Sequence, residues 1–184
     1  MIFKDNRLEF LDTKILDTIF NMEVMMSWEA PLMEKSAEYI CSSKGDILEV
    51  GFGMGICADY IQAQGVNSHT IIDIHPQIIE RLKTWAEDKP NVIIVEGDWN
   101  EVSLSSTYDG IFMDTYQDDN WVQFTDFLST TGKQGAKFSY WNGNPDEENI
   151  WNFSNISFEE ISITPEANKY TRITDTYYMP KVVL

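Results

Sequence analysis

With 184 residues, 43% of them hydrophobic and 13% aromatic, the chain is long enough for one domain with a sizeable core and too apolar for disorder throughout. Its 30 acidic and 13 basic residues give a net charge of −17. Such a surface repels phosphate backbones and anionic lipid, which argues against nucleic-acid and membrane partners and mildly steers a cationic substrate inward.

Met1 to Phe20 carries charges throughout with no apolar leader core, and nowhere do apolar residues approach the ~18 needed to span a membrane. Cys41 and Cys57 lack metal-ligand or redox spacing and are expected as buried thiols in a reducing cytoplasm. His69 and His75 are too few and too isolated for a metal site, so no metal is expected.

In chain order, Leu8, Leu11, Ile15, Ile19 and Met22 recur at helical spacing and predict a helix over Arg7 to Asn21. A second helix is predicted to start near Pro31 and run to about Ser42. From Asp46 the pattern alternates. Strands are predicted at Asp46–Gly51, Ser68–Ile74, Val92–Glu96, Tyr108–Asp114 and Ala136–Trp141, and helices at Met54–Gln64, Pro76–Glu87 and Asn120–Ser129. Two further strand-like runs, Ile156–Ile163 and Thr174–Leu184, have no crossover helix between them and predict an antiparallel hairpin at one edge. The expected fold is α/β and Rossmann-like, a seven-stranded, mostly parallel sheet with helices on both faces. One domain spans 1–184, with a helical cap over 1–44 and the core over 45–184.

The first core strand runs into Leu48-Glu49-Val50-Gly51-Phe52-Gly53-Met54-Gly55. Glycines at that junction permit a tight turn and close backbone approach to a ligand, although any strand–loop–helix junction can carry them for packing alone. Asp73 stands about 20 residues farther on, at the end of the second strand, where a ribose diol is gripped; a lone acid there can equally cap the helix at Pro76. Asp98 and Trp99 follow the third strand, where an acid can accept from an adenine amino group beside an aromatic surface; Asp98 can also be an N-cap. The three features in this order point to an S-adenosylmethionine (SAM) site. The GxGxG spacing differs from the GxGxxG of dinucleotide folds, which disfavours NAD.

Met26-Ser27-Trp28-Glu29-Ala30-Pro31-Leu32-Met33, the glycine segment Leu48 to Ile56, Tyr108-Asp109-Gly110-Ile111-Phe112-Met113-Asp114-Thr115-Tyr116, and Phe138 to Gly143 occur in that order. Together they resemble segments of guanidinoacetate N-methyltransferases and the related fungal-type arginine δ-N-methyltransferases, a branch of the class I SAM-dependent methyltransferases. The resemblance implies that Glu29 and Asp114 hold a guanidino group as the catalytic and substrate-binding carboxylates. It implies a cofactor lining of Glu49, Gly51, Phe52, Gly53, Met54, Gly55, Ile56 and Cys57, then Asp73, Ile74 and His75, then Asp98, Trp99 and Asn100, with Asp114 beside them. Met25 and Met33 would flank the cofactor, and the backbone of Gly143 and Asn144 would receive a substrate carboxylate. Two departures stand out: Gln117 replaces a proline, and the segment between Asp114 and the fifth core strand is short.

The chemistry suits these residues. A guanidinium, with a pKa of roughly 12 or more, is a poor nucleophile while protonated. Two carboxylates can grip its planar fork and orient one nitrogen, and Asp114 is placed to take the proton. Glu29 could otherwise serve only a helix N-terminus, and Asp114 only a turn. The expected activity is N-methylation of a small guanidino substrate such as guanidinoacetate or arginine, leaving S-adenosylhomocysteine (SAH). The alternatives are methylation of another amine, SAM cleavage without transfer, or cofactor binding without catalysis. The sequence does not indicate an oligomeric state.

Overall fold

The computed structural model describes residues 3–118, 120–142, 149–169 and 174–184. The chain begins with a three-stranded antiparallel sheet, β1 (Leu8–Phe10), β2 (Lys14–Asp17) and β3 (Met22–Met26), in the order β1-β2-β3. The predicted helix over Arg7 to Asn21 is therefore corrected, and with it the helical character of the first half of the cap. Burial shows why the spacing misled. Leu8 and Ile15 are buried, whereas Leu11 and Ile19 are 42% and 51% exposed, so the helical stripe is not the buried one. Along β2 burial alternates, with Ile15 and Asp17 inward, as a strand requires.

Helix α1 (Ala30–Ile40) carries Pro31 in its first turn, as expected. The remaining elements are β4 (Asp46–Val50), α2 (Ile56–Ala63), β5 (Ser68–Asp73), α3 (Pro76–Ala86), β6 (Val92–Glu96), β7 (Tyr108–Met113), α4 (Phe124–Thr131), β8 (Gly132–Tyr140), β9 (Ile156–Ser162) and β10 (Thr176–Val183). The seven-stranded sheet runs β6-β5-β4-β7-β8-β10-β9. Its first five members are parallel, and β10 lies antiparallel to both β8 and β9. The Rossmann-like sheet and its edge hairpin are thus as read from the sequence.

The sheet has two apolar faces. Ile47 and Phe112 pack under α1 and α2 with Met33, Ala37, Ile40, Cys57 and Ile61. Ile71 packs with Ala58 of α2 and Ile78 and Leu82 of α3. On the opposite face, Leu48, Val50, Ile111, Met113 and Phe138 meet Phe124 and Leu128 of α4. No helix in the described residues is long and apolar enough to cross a membrane. Strand order reverses between β4 and β7, so the C-terminal ends of these strands splay around a crevice where a ligand can lodge.

Candidate active site

The crevice is a cavity of about 350 Å³ at the ends of β4, β5 and β7, within the range of small-molecule sites. Val50, Gly51 and Gly53 form its floor. Ile72, Asp73 and Ile74 form one side, and Gly97, Asp98 and Trp99 another. Asp114 to Asp118 line the third side, with Asn120 beyond, while Phe3, from a turn ahead of β1, and Val24 and Met25 of β3 close over it.

The glycine turn is shaped by close contacts. Gly51 has φ +93°, and a Cβ there would lie 1.8 Å from the backbone oxygen of Asp114. Its neighbours are tied across the sheet: the Gly51 N–H donates to the Ile72 carbonyl and the Asp114 N–H to the Val50 carbonyl, both at 2.9 Å. Gly53, at φ +54°, leaves room for the Met25 sulfur, which accepts from the Met54 N–H at 3.2 Å. The cap is thereby fastened to the glycine loop.

Asp73 reaches back to this turn. Its Oδ2 accepts from the Phe52 N–H and its Oδ1 from the His75 N–H, both at 2.9 Å. Burial raises its pKa, and these backbone donors oppose the rise. Each carboxylate oxygen keeps a second lone pair, so organising the loop is compatible with gripping a diol. Asp98 accepts from the Asn100 N–H at 2.9 Å and closes a turn onto Glu101 and Val102; no helix follows it. Trp99 stands edge-on to Phe124 and Phe127, and its indole N–H donates to Asp118 Oδ2 at 2.6 Å. The Thr115 hydroxyl donates to the same Asp118 oxygen at 3.1 Å.

Asp114 opens onto the cavity, and Glu29 lies buried behind it, its Oε1 accepting from the Met26 N–H at 2.7 Å. That bond closes the turn before α1, so Glu29 does serve a helix start. Burial first, then the negative charges of Glu29 and Glu49, push the Asp114 carboxyl well above the usual carboxylate range. No described residue lining the cavity carries a cationic side chain. A bound cation would oppose these causes and draw the Asp114 pKa back down.

Several expected lining residues lie elsewhere. Glu49 is fully buried on the helix-covered face, 2.9 Å from His69 Nε2, because alternation along β4 turns it away from the crevice. Met33 and Cys57 pack in the core between α1 and α2, and burial holds the Cys57 thiol well above its ordinary pKa. Both cysteines are free and buried, as expected. His75 uses both ring nitrogens structurally, accepting from the Gln77 N–H and contacting the Asn6 carbonyl at 3.0 Å. Phe52, Met54, Gly55, Ile56 and Asn100 shape the loops without lining the cavity. Gly143 and Asn144 lie outside the described residues.

Sequence reading missed Asp118, Phe3 and Val24, none of which stands in a recognisable motif. Gln117, noted for replacing a proline, has φ +51°, which a proline ring cannot adopt. The loop after Asp114 therefore takes a course that a proline would forbid.

A family model described as guanidinoacetate N-methyltransferase matches residues 2–142. A protein named Protein arginine N-methyltransferase 2 from Aspergillus fumigatus is 33% identical over 153 residues, covering 77% of this chain and 35% of its own length. The protein of that name from Saccharomyces cerevisiae is 30% identical, covering 77% and 38%. The chain thus spans little more than a third of the length of these curated relatives. Among solved structures, the N-methyltransferase NodS from Bradyrhizobium japonicum, in complex with SAH, superposes with a TM-score of 0.66 at 13% identity over 85% of this chain and 87% of its own. The CcbJ methyltransferase from Streptomyces caelestis gives 0.53 at 18% identity over 70% and 55%. At these identities the two structures speak to the fold alone.

Proposed function

The chain belongs to the guanidinoacetate N-methyltransferase family, and from that premise we propose that it transfers a methyl group from SAM to a guanidino nitrogen. The observation that carries this reading is Asp114 on a cavity whose described lining has no cationic side chain, with the negative charge of buried Glu29 acting on it. A guanidinium supplies the missing charge and offers a planar fork to two carboxylates.

The residues present fit the cofactor. The Gly51–Gly53 turn admits close backbone approach, Asp73 can accept from a ribose diol, and Asp98 and Trp99 offer an acceptor and an aromatic wall. When bound, SAM supplies an electrophilic methyl on a sulfonium centre. Asp114 then orients one guanidino nitrogen toward that methyl and takes its proton. Glu29 holds the other side of the fork, and the enclosing Phe3, Val24 and Met25 exclude water. Free thiols at Cys41 and Cys57 suit a reducing cytoplasm.

A small acceptor such as guanidinoacetate or free arginine is the first reading. An arginine side chain of a protein is the second, favoured by the names of the fungal relatives.

Binding should depend on pH with a definite sign. In the free protein Asp114 holds its proton above the usual range; a bound guanidinium lowers that pKa and expels the proton. Affinity for an arginine-type ligand should therefore rise with pH by up to about tenfold per unit, levelling off above the raised pKa. Calorimetry in buffers of different ionisation enthalpy should register release of up to one proton. Affinity that is flat or falls with rising pH contradicts the clamp.

A further inference from the structure

Away from the reacting carboxylates, one buried acid organises the outer wall of the cavity. Asp17, at the end of β2, is 0% exposed. Its Oδ1 accepts from the N–H groups of Ile19 and Phe20 at 2.8 and 3.2 Å, and its Oδ2 accepts from Asn6 Nδ2 at 2.7 Å. Asn6 is held at both ends of its residue: its N–H donates to the Phe3 carbonyl at 2.9 Å, and its own carbonyl meets His75 Nε2 at 3.0 Å. Among the described residues the side-chain oxygen of Asn6 is buried without a hydrogen-bond partner, so Asp17 is what fixes that side chain. The short turn Phe3–Asp5 is thereby pinned, and Phe3 projects over the cavity with its ring 4.9 Å from both His75 and Tyr116.

We propose that Asp17 is a positioning residue for the cofactor cavity, setting Phe3 against Tyr116 as its outer wall through Asn6. The placement of Tyr116 agrees. Burial, followed by the charge of Asp17, pushes its phenol up to about 12. Asp17 thus ties β2 to the turn that carries Phe3, and Phe3 in turn packs on the loop that follows Asp114. The inference rests on the cofactor reading above, because the wall matters only if SAM or SAH fills the cavity.

The experiment measures SAH dissociation constants and steady-state kinetics for the full chain and for Asp17→Asn, Phe3→Ala and their combination. Asp17→Asn keeps an oxygen for the Ile19 and Phe20 donors and loses the charge that grips Asn6. Its SAH affinity should fall roughly tenfold, the scale of one charge-assisted hydrogen bond, with KM for SAM rising in step and kcat at saturating SAM within about twofold of the parent. Phe3→Ala should lose a similar factor, and the double variant should bind no more weakly than Phe3→Ala alone, because Asp17 acts through Phe3. Parent-like SAH binding by Asp17→Asn, or losses that multiply in the double variant, overturn the proposal. If Asp17→Asn does not fold, Asn6→Ala breaks the same link from the other end. It should show the same tenfold loss, and parent-like binding overturns the proposal there too. A parent chain that binds no SAH removes the cofactor reading itself, an outcome distinct from a parent that binds and an Asp17 variant that binds equally well.

Discussion

Asp114→Asn is expected to abolish most methyl transfer while leaving the cofactor bound and the fold more stable near neutral pH. The amide keeps the shape and one acceptor, so the cavity wall and the backbone bond from Asp114 to Val50 persist. What disappears is the group that takes the guanidino proton, a loss of at least ~10²-fold.

The stability effect follows from the raised pKa. A carboxyl whose folded-state pKa lies above its unfolded value binds its proton more tightly in the native state, so stability falls as pH rises from the unfolded value toward the folded one. Asparagine does not titrate and escapes that loss. Single-turnover assays with saturating SAM, paired with melting curves at several pH values, test both halves. A variant that turns over like the parent removes Asp114 from the mechanism, and one that melts lower at neutral pH contradicts the buried-charge argument. Glu29→Gln should chiefly weaken acceptor binding, though its cap on the Met26 N–H also ties it to the start of α1.

Gly51→Ala is expected to act in the opposite sense on stability. The new methyl group meets the Asp114 backbone oxygen at 1.8 Å, and φ +93° strains any residue with a Cβ. Backbone lies on both sides of the contact, so no side chain can swing away. A destabilisation of roughly 3–4 kcal/mol is expected, lowering Tm by about 10 °C in a domain of this size. Any protein that still folds must shift the end of β7, and with it Asp114, so cofactor affinity and turnover fall together. A melting temperature within about 2 °C of the parent would show that β4 and β7 are looser here than the geometry requires. Neighbouring substitutions at Gly51 and Asp114 thus move stability in opposite directions for separate physical reasons.

The parallel core was legible because each strand sits between glycine, proline or acidic punctuation, and each helix carries its own apolar stripe. Pro31 and Pro76 both fell in first helical turns, where a missing N–H costs nothing. The N-terminal sheet was not legible. Leu8, Leu11, Ile15 and Ile19 satisfy a helical period, and three strands of three to five residues are too short to reveal alternation.

At the site, Asp73, Asp98, Trp99 and Asp114 could be placed because each stands at or just after a strand's C-terminal end. Glu49 could not, since only the sheet's pleat and the presence of His69 decide that it faces the helices. Asp118 and Phe3 reach the cavity through loop geometry that no local pattern encodes, namely the turn after Gln117 and the pinning of Phe3–Asp5.

The most direct measurement of the central claim is turnover with SAM against guanidinoacetate, free arginine and an arginine-containing peptide, with primary amines of similar size as comparison. SAH release and mass-spectrometric location of the methyl group are read together. A methyl group on a guanidino nitrogen, formed by the parent and lost at least ~10²-fold in Asp114→Asn, is the expected result. Methylation confined to the primary amines, or SAH formation with no methylated guanidine among the products, would contradict it.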